Sequence, residues 1–174
     1  TINWLSVFID MPADRFDEGC DFWMTATGST RSPLRGEHHE FATLLPATGD
    51  PHVRVQRVMD GEPGVHLDLH ADDVAATVVV AQQLGGHIVA DDPNEPGLTV
   101  MSSPGGMTFC VVGHDGESTP PDPVPLPAPH RLNQICIDVP SKRFDTELAF
   151  WSALTGWDVE PGRLGEFVFL TRPS

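Results

Sequence analysis

The chain repeats one stretch of itself, and that repeat restricts its architecture more than any single motif. Residues 9–28 read IDMPADRFDEGCDFWMTATG and residues 137–156 read IDVPSKRFDTELAFWSALTG. An offset of 128 aligns them without a gap. The shared positions are Ile9/Ile137, Asp10/Asp138, Pro12/Pro140, Arg15/Arg143, Phe16/Phe144, Asp17/Asp145, Phe22/Phe150, Trp23/Trp151, Thr27/Thr155 and Gly28/Gly156. After a two-residue slip Glu40-Phe41 falls opposite Glu166-Phe167. Self-similarity of this kind marks one supersecondary unit used more than once, so equivalent side chains recur at equivalent places.

Three units follow from hydrophobic period and turn chemistry. The first has a strand over 4–10, a helix over 13–27 closed by Gly28, and strands over 40–45 and 53–58. Phe16, Cys20, Trp23 and Thr27 recur at helical spacing and predict one buried stripe, with Phe22 also assigned to the helix core. The second unit has a strand over 65–71, Asp72-Asp73 as helix caps, a helix ended by Gly85-Gly86, and strands near 87–90, 98–102 and 108–112. Residues 114–130 carry six prolines in PPDPVPLPAP and no hydrophobic period, which predicts an extended linker. The last unit repeats the first, with a strand over 132–139, a helix over 141–154 with Phe150 and Trp151 in its core, Gly156 as cap, and a strand over 166–170. No stretch matches 53–58. That organisation reads as a module over 1–113, a linker over 114–130, and the first part of a second module over 131–174. The unmatched half is expected to pair with another copy as a homodimer, or to continue into a C-terminal half-module.

The bulk numbers exclude some classes of function. With 10 Lys+Arg against 25 Asp+Glu, the net charge is −15, which disfavours nucleic acid and anionic membrane as partners. A weaker reading of the same charge is attraction of cationic ligands. No apolar run approaches the ~20 residues of a membrane span. Cys20, Cys110 and Cys136 are odd in number and lack metal-knuckle spacing, as free thiols of a cytoplasmic protein would. No phosphate loop, dinucleotide fingerprint or nucleophile–His–acid pattern occurs.

The segment GVHLDLHADDVAATVVVAQQLGGHIVADD followed by GLTVMSSPGGMTFCVV resembles the glyoxalase-like pattern of the vicinal oxygen chelate (glyoxalase/bleomycin-resistance/dioxygenase) superfamily. A His-bearing strand, an Asp-started helix ending in Leu-Gly-Gly, and a strand after a Pro-x-Gly turn carry the likeness. It implies an α+β fold of tandem βαβββ units, a cup-shaped mixed sheet with helices outside and the site inside, the second module being incomplete here.

Alternation along 65–71 puts Leu67 and Leu69 on one face and His66, Asp68 and His70 on the other. The corresponding face of the first unit carries Ser6, Phe8 and Asp10. In metal-using relatives, opening and closing strands each supply two ligands. The resemblance places His66 and Ser6 at the opening positions and Cys110 and Gln56 at the closing ones, with Cys110 standing where a Glu is usual. Of these four only His66 survives intact, although Cys110 could ligate zinc as a thiolate. The leading expectation is therefore a protein that binds a small organic, possibly cationic or aromatic, molecule without a metal cofactor, as bleomycin-resistance-like members do. Phe8, Phe41, Trp4 and Met107 would then be apolar walls, and His66, Asp68 and Asp10 polar anchors. The alternative is a lyase, isomerase or dioxygenase using divalent zinc, manganese, iron or nickel on His66. Asp10 and Asp138 have a second reading as caps of the turns before their helices.

Overall fold

The computed structural model describes residues 1–60, 62–91, 97–125 and 129–173. Part of the expected linker, at 126–128, lies outside them. The strands are β1 (Ile2–Pro12), β2 (Thr30–Arg31), β3 (Phe41–Leu45), β4 (Val53–Val58), β5 (Gly64–Ala71), β6 (His87–Asp91), β7 (Leu98–Ser102), β8 (Thr108–Gly113), β9 (Asp158–Pro161) and β10 (Val168–Thr171). The helices are α1 (Phe16–Thr27), α2 (Val74–Gln83) and α3 (Phe144–Thr155), with one 3-10 turn before α1 and another before α3. The mixed α+β class that the resemblance implies is the observed one.

Two compact units divide the chain, the first formed by Trp4–Asp68 with Asp115–Cys136. Its sheet runs β2-β3-β4-β1-β5, with β1 and β4 parallel and β3 antiparallel to β4. One face is apolar: Val7, Ile9 and Met11 of β1, Val53 and Val55 of β4, and Ala42 and Leu44 of β3 are all buried. That is the alternation a strand needs to cover one side with a helix. The helix is α1, whose Phe16 and Cys20 are fully buried. Burial pushes the Cys20 thiol up from its ordinary value, against the opposing hydrogen bond from Arg31. Phe22 departs from expectation: it is 63% exposed, since α1 turns Phe16 and Cys20 rather than Phe22 to the sheet.

Residues 115–125 and 129–136 contain no helix or strand, in keeping with their prolines, yet they are tied to this unit. Asp50 accepts from the Ser118 and Thr119 amides at 2.8 and 2.9 Å, which holds its carboxyl below the usual range. Thr48 donates to Asp122, a bridge joins Val124 to His130, and the His52 Nε2 lies 2.7 Å from the Leu132 carbonyl. Gly49 and Gly28 serve this docking. Both have positive φ, and a Cβ there would meet the Thr119 and Pro120 carbonyl oxygens at 2.7 Å or the Val124 side chain at 2.9 Å.

The second unit comprises Thr1–Asn3, Leu69–His114 and Ile137–Ser174. Its strand order is β5-β8-β7-β6, covered by α2 and α3. Asp73 caps α2 by accepting from the Ala76 amide, as its position predicts. Phe109, Phe150 and Trp151 form an edge-to-face aromatic cluster. Beside it the buried Glu147 carboxylate accepts from the Ser103 hydroxyl and the Gly105 amide, stapling α3 to the turn between β7 and β8. β9 and β10 form an antiparallel pair, the counterpart of β2 and β3.

The strand expected over 132–139 does not form. Among the described residues no strand takes the place of β4 beside it, and a strand lacking a neighbour has no partner for its amides and carbonyls. The region reads instead as an irregular approach to α3.

Candidate functional site

The polar face of the first unit's sheet is where the candidate residues meet. Strand register decides which side chains are neighbours, because directly paired residues share a face. On β3, β4 and β1, Phe41 pairs with Gln56 and Gln56 with Asp10; one step away Thr43 pairs with Arg54 and Arg54 with Phe8. β5 lies next to β1 and supplies His66 and Asp68. Two rows of functional groups therefore cross the face opposite α1.

His66 is the centre. Its Nδ1 lies 2.8 Å from Asp10 Oδ2, and both side chains are more than four-fifths buried. Its ring stacks on Phe8, with centroids 4.8 Å apart and planes within 6°. Phe41 in turn meets Phe8 edge-on at 6.0 Å. The imidazole is thus fixed in position by the ring and in orientation by the carboxylate. Since the Asp10 carboxylate accepts, Nδ1 carries the hydrogen, and Nε2 is left to face Asp68 Oδ1 at 4.0 Å. That separation is beyond hydrogen-bond reach. Asp10 Oδ1 is buried and has no hydrogen-bond partner among the described residues.

The other expected residues fall as follows. Ser6 is fully buried on β1. Gln56 is half-buried beside Asp10. Phe8 and Trp4 are buried, and Trp4 donates to the Pro51 carbonyl, so neither ring stands open as a wall; Phe41 is half-buried. His70 and Cys110 belong to the second unit, where both are buried, Cys110 on β8 opposite Val100 of β7. Met107 is there too. Asp10 serves His66 rather than a helix cap, and no side chain caps the turn before α1.

Two residues on this face escaped the sequence reading. Arg54 sits between Thr43 and Phe8, with its guanidinium carbon 5.9 Å from the Phe8 ring centre. Arg35 donates to the Thr43 hydroxyl at 3.0 Å and is bridged through its backbone to Phe41. The alternation of VRVQRV placed Arg54 on the same side as Gln56, and that was the available signal. Arg35 lies in a loop, where no period operates.

A separate cleft in the same unit, lined by Ala26, Leu44, Val53, Val124 and Leu132 among others, contains none of the candidate residues. Among the described residues no helix is long and apolar enough to cross a membrane.

No curated protein sequence matches the chain. In fold it is similar to the Mn(II)-bound glyoxalase from Novosphingobium aromaticivorans, with a TM-score of 0.64 and 19% identity over 98% of this chain and 57% of that one. It is also similar to 2,2',3-trihydroxybiphenyl 1,2-dioxygenase from dibenzofuran-degrading Sphingomonas wittichii strain RW1, with a TM-score of 0.57 and 14% identity over 92% of this chain and 59% of that one. A methylmalonyl-CoA epimerase, solved with methylmalonyl-CoA and NH4+, matches at a TM-score of 0.51 and 14% identity over 69% of this chain and all of its own. The chain thus spans a little over half the length of the first two. A glyoxalase-like domain model matches residues 6–112, more than half of the 174 residues, and takes in His66, Asp10 and Gln56. The chain therefore belongs to the glyoxalase-like domain family.

Proposed function

We propose that this chain binds a small organic molecule on the polar face of its first unit, with His66 as the fixed recognition group. The observation that carries this reading is the 2.8 Å contact between Asp10 and His66 Nδ1. A histidine held by a carboxylate on one side and stacked on a ring presents its other nitrogen as a directed acceptor. Asp68 adds a carboxylate oxygen 4.0 Å away, so a hydroxyl or N–H of the ligand can be shared between them. Gln56 and Phe41 extend the same rows with an amide and an aromatic edge.

The test is a thermal-shift and NMR screen of the intact chain against small organic acids, amines and phenols. A binder should move the His66 imidazole resonances, and His66→Ala and Asp10→Ala should each abolish the effect. A binder that leaves those resonances unmoved would count against the reading.

The 4.0 Å spacing of Nε2 and Asp68 Oδ1 also favours a second reading, a divalent-metal-dependent lyase, isomerase or dioxygenase. An imidazole nitrogen with a carboxylate oxygen suits manganese, iron(II), nickel or zinc, and a carboxylate behind the histidine is the usual support for such a ligand. His66 and Asp68 would hold the ion, which when bound would polarise a substrate oxygen. Asp10 would keep Nε2 aimed, and Asp68 would hold or accept a proton if not ligating. Elemental analysis after loading with Mn(II) or Zn(II) separates the two readings. Stoichiometric metal that is lost in His66→Ala selects the second.

A further inference from the structure

The geometry points to a carboxylate-binding subsite formed by Arg35 and Arg54 on the face that carries His66, with Arg54 two strands away from it and Arg35 bonded to the next strand out. This assigns the ligand class as a small organic acid, and it rests on the reading that a ligand occupies this face.

The argument begins with charge. The chain holds 10 Lys+Arg against 25 Asp+Glu, so two guanidiniums gathered on one polar face run against its overall balance. Most arginines are spent elsewhere: Arg15 on Glu18, Arg31 on Asp17, Arg57 over the Phe16 ring, Arg143 on turn carbonyls and Arg172 on the Asn3 carbonyl. Arg54 differs. Its side chain is only 21% exposed, its Nε, like that of Arg57, has no hydrogen-bond partner among the described residues, and it reaches Glu117 at a loose 3.8 Å. Arg35 is anchored to the hydroxyl of Thr43, the residue directly paired with Arg54. Burial first, and the Arg54 charge second, lower the basicity of Arg35. Arg54 and the Arg35 guanidinium bonded to its paired neighbour Thr43 set two cations on one side of the sheet, and an anion between them would be attracted by both.

The ligand's shape follows from the register. Arg54 and His66 project from strands on either side of β1, two strand spacings or roughly 10 Å apart. Planar guanidiniums grip a carboxylate through paired N–H donors. A molecule with a carboxylate at one end, a compact apolar body and a hydroxyl at the other would reach Arg35 and Arg54 while donating to His66 Nε2 and Asp68. The acidic composition of the whole chain suggested a cationic ligand; the local arrangement of this face favours the opposite sign.

The experiment titrates the intact chain at low salt with 4-(hydroxymethyl)benzoate, its neutral amide and its cationic amidine, followed by NMR and calorimetry. The carboxylate should bind at least about tenfold tighter than the amide, the scale of a lost charge-assisted contact. Arg54→Met and Arg35→Gln should each remove that preference, with unchanged melting of Arg35→Gln confirming an intact fold. Equal binding of acid and amide, preference for the amidine, binding indifferent to both arginine substitutions, or no binding of any probe would overturn the subsite. Failure of the two readings is distinguishable. Carboxylate preference that needs the arginines but survives His66→Gln keeps the subsite and discards His66 as the recognition group.

Discussion

Residues 9–28 and 137–156 share half of their residues in one ungapped alignment, and the molecule treats them differently. Both give a 3-10 turn, a twelve-residue helix and a left-handed glycine cap, at Gly28 and Gly156. Yet the first copy is led by an eleven-residue strand and the second by no strand at all. Asp10 is three-quarters or more buried and holds His66, whereas Asp138 is exposed. Phe150 is 2% exposed and Phe22 63%. Local sequence fixes the helix and its ends because capping and 3.6-residue periodicity act within a few residues. A strand, a core and a site are built only by what lies alongside.

The largest expected contrast is in amide exchange. Amides of 4–11 should open only with global unfolding of their unit, and those of 133–139 should exchange as fast as local fluctuation allows. Similar protection of both would break the comparison outright. In packing, Phe150→Ala should lower stability by about 3–5 kcal/mol, as large core truncations do. Phe22→Ala should fall within about 0.5 kcal/mol of the parent in denaturant titration. Asp10→Ala should cost about 1–3 kcal/mol through the unpaired imidazole N–H and should move the His66 resonances, while Asp138→Ala should do neither. Substituting the caps sharpens the point further. Gly156→Ala meets open space and should cost about 1 kcal/mol for the left-handed backbone alone, whereas Gly28→Ala also displaces Val124 and should cost more.

The smallest effect concerns acid. The Asp50 carboxyl is held below its ordinary value by the Ser118 and Thr119 amides, so the folded form binds its proton less readily than the unfolded chain. The stabilisation is therefore present above the usual carboxylate pKa of about 4 and is lost as pH falls through the lower folded value. Amides 118 and 119 should lose protection there, and Asp50→Asn should flatten the dependence.

Much of this fold was legible in the sequence. The alternation of VRVQRV gave β4 to the residue, LTVMS gave β7, and Asp73 marked the start of α2. His66 and Asp68 were legible as neighbours on one strand face, and Asp10 as belonging to the equivalent face of the first unit. The pairing of Asp10 with His66 was not, because it joins residues 56 positions apart through strand order. Arg54 was available from alternation but carried no expected role, and Arg35 had no periodic signal at all. Phe22 was assigned to the core along with Phe150, and only Phe150 is buried: a repeat conserves residue identity more strongly than environment.

By itself the sequence determined the elements that depend on near neighbours: the repeated helix, its glycine cap, the spacing of apolar side chains, and the family pattern around His66. Tertiary structure alone decided which copy of the repeat became a strand, which aromatic was buried, and which arginines came to share a face with the histidine. The physical reason is that hydrogen bonding along a helix closes within the segment, whereas a strand's hydrogen bonds, and the row of side chains it presents, are completed by residues supplied from elsewhere in the chain.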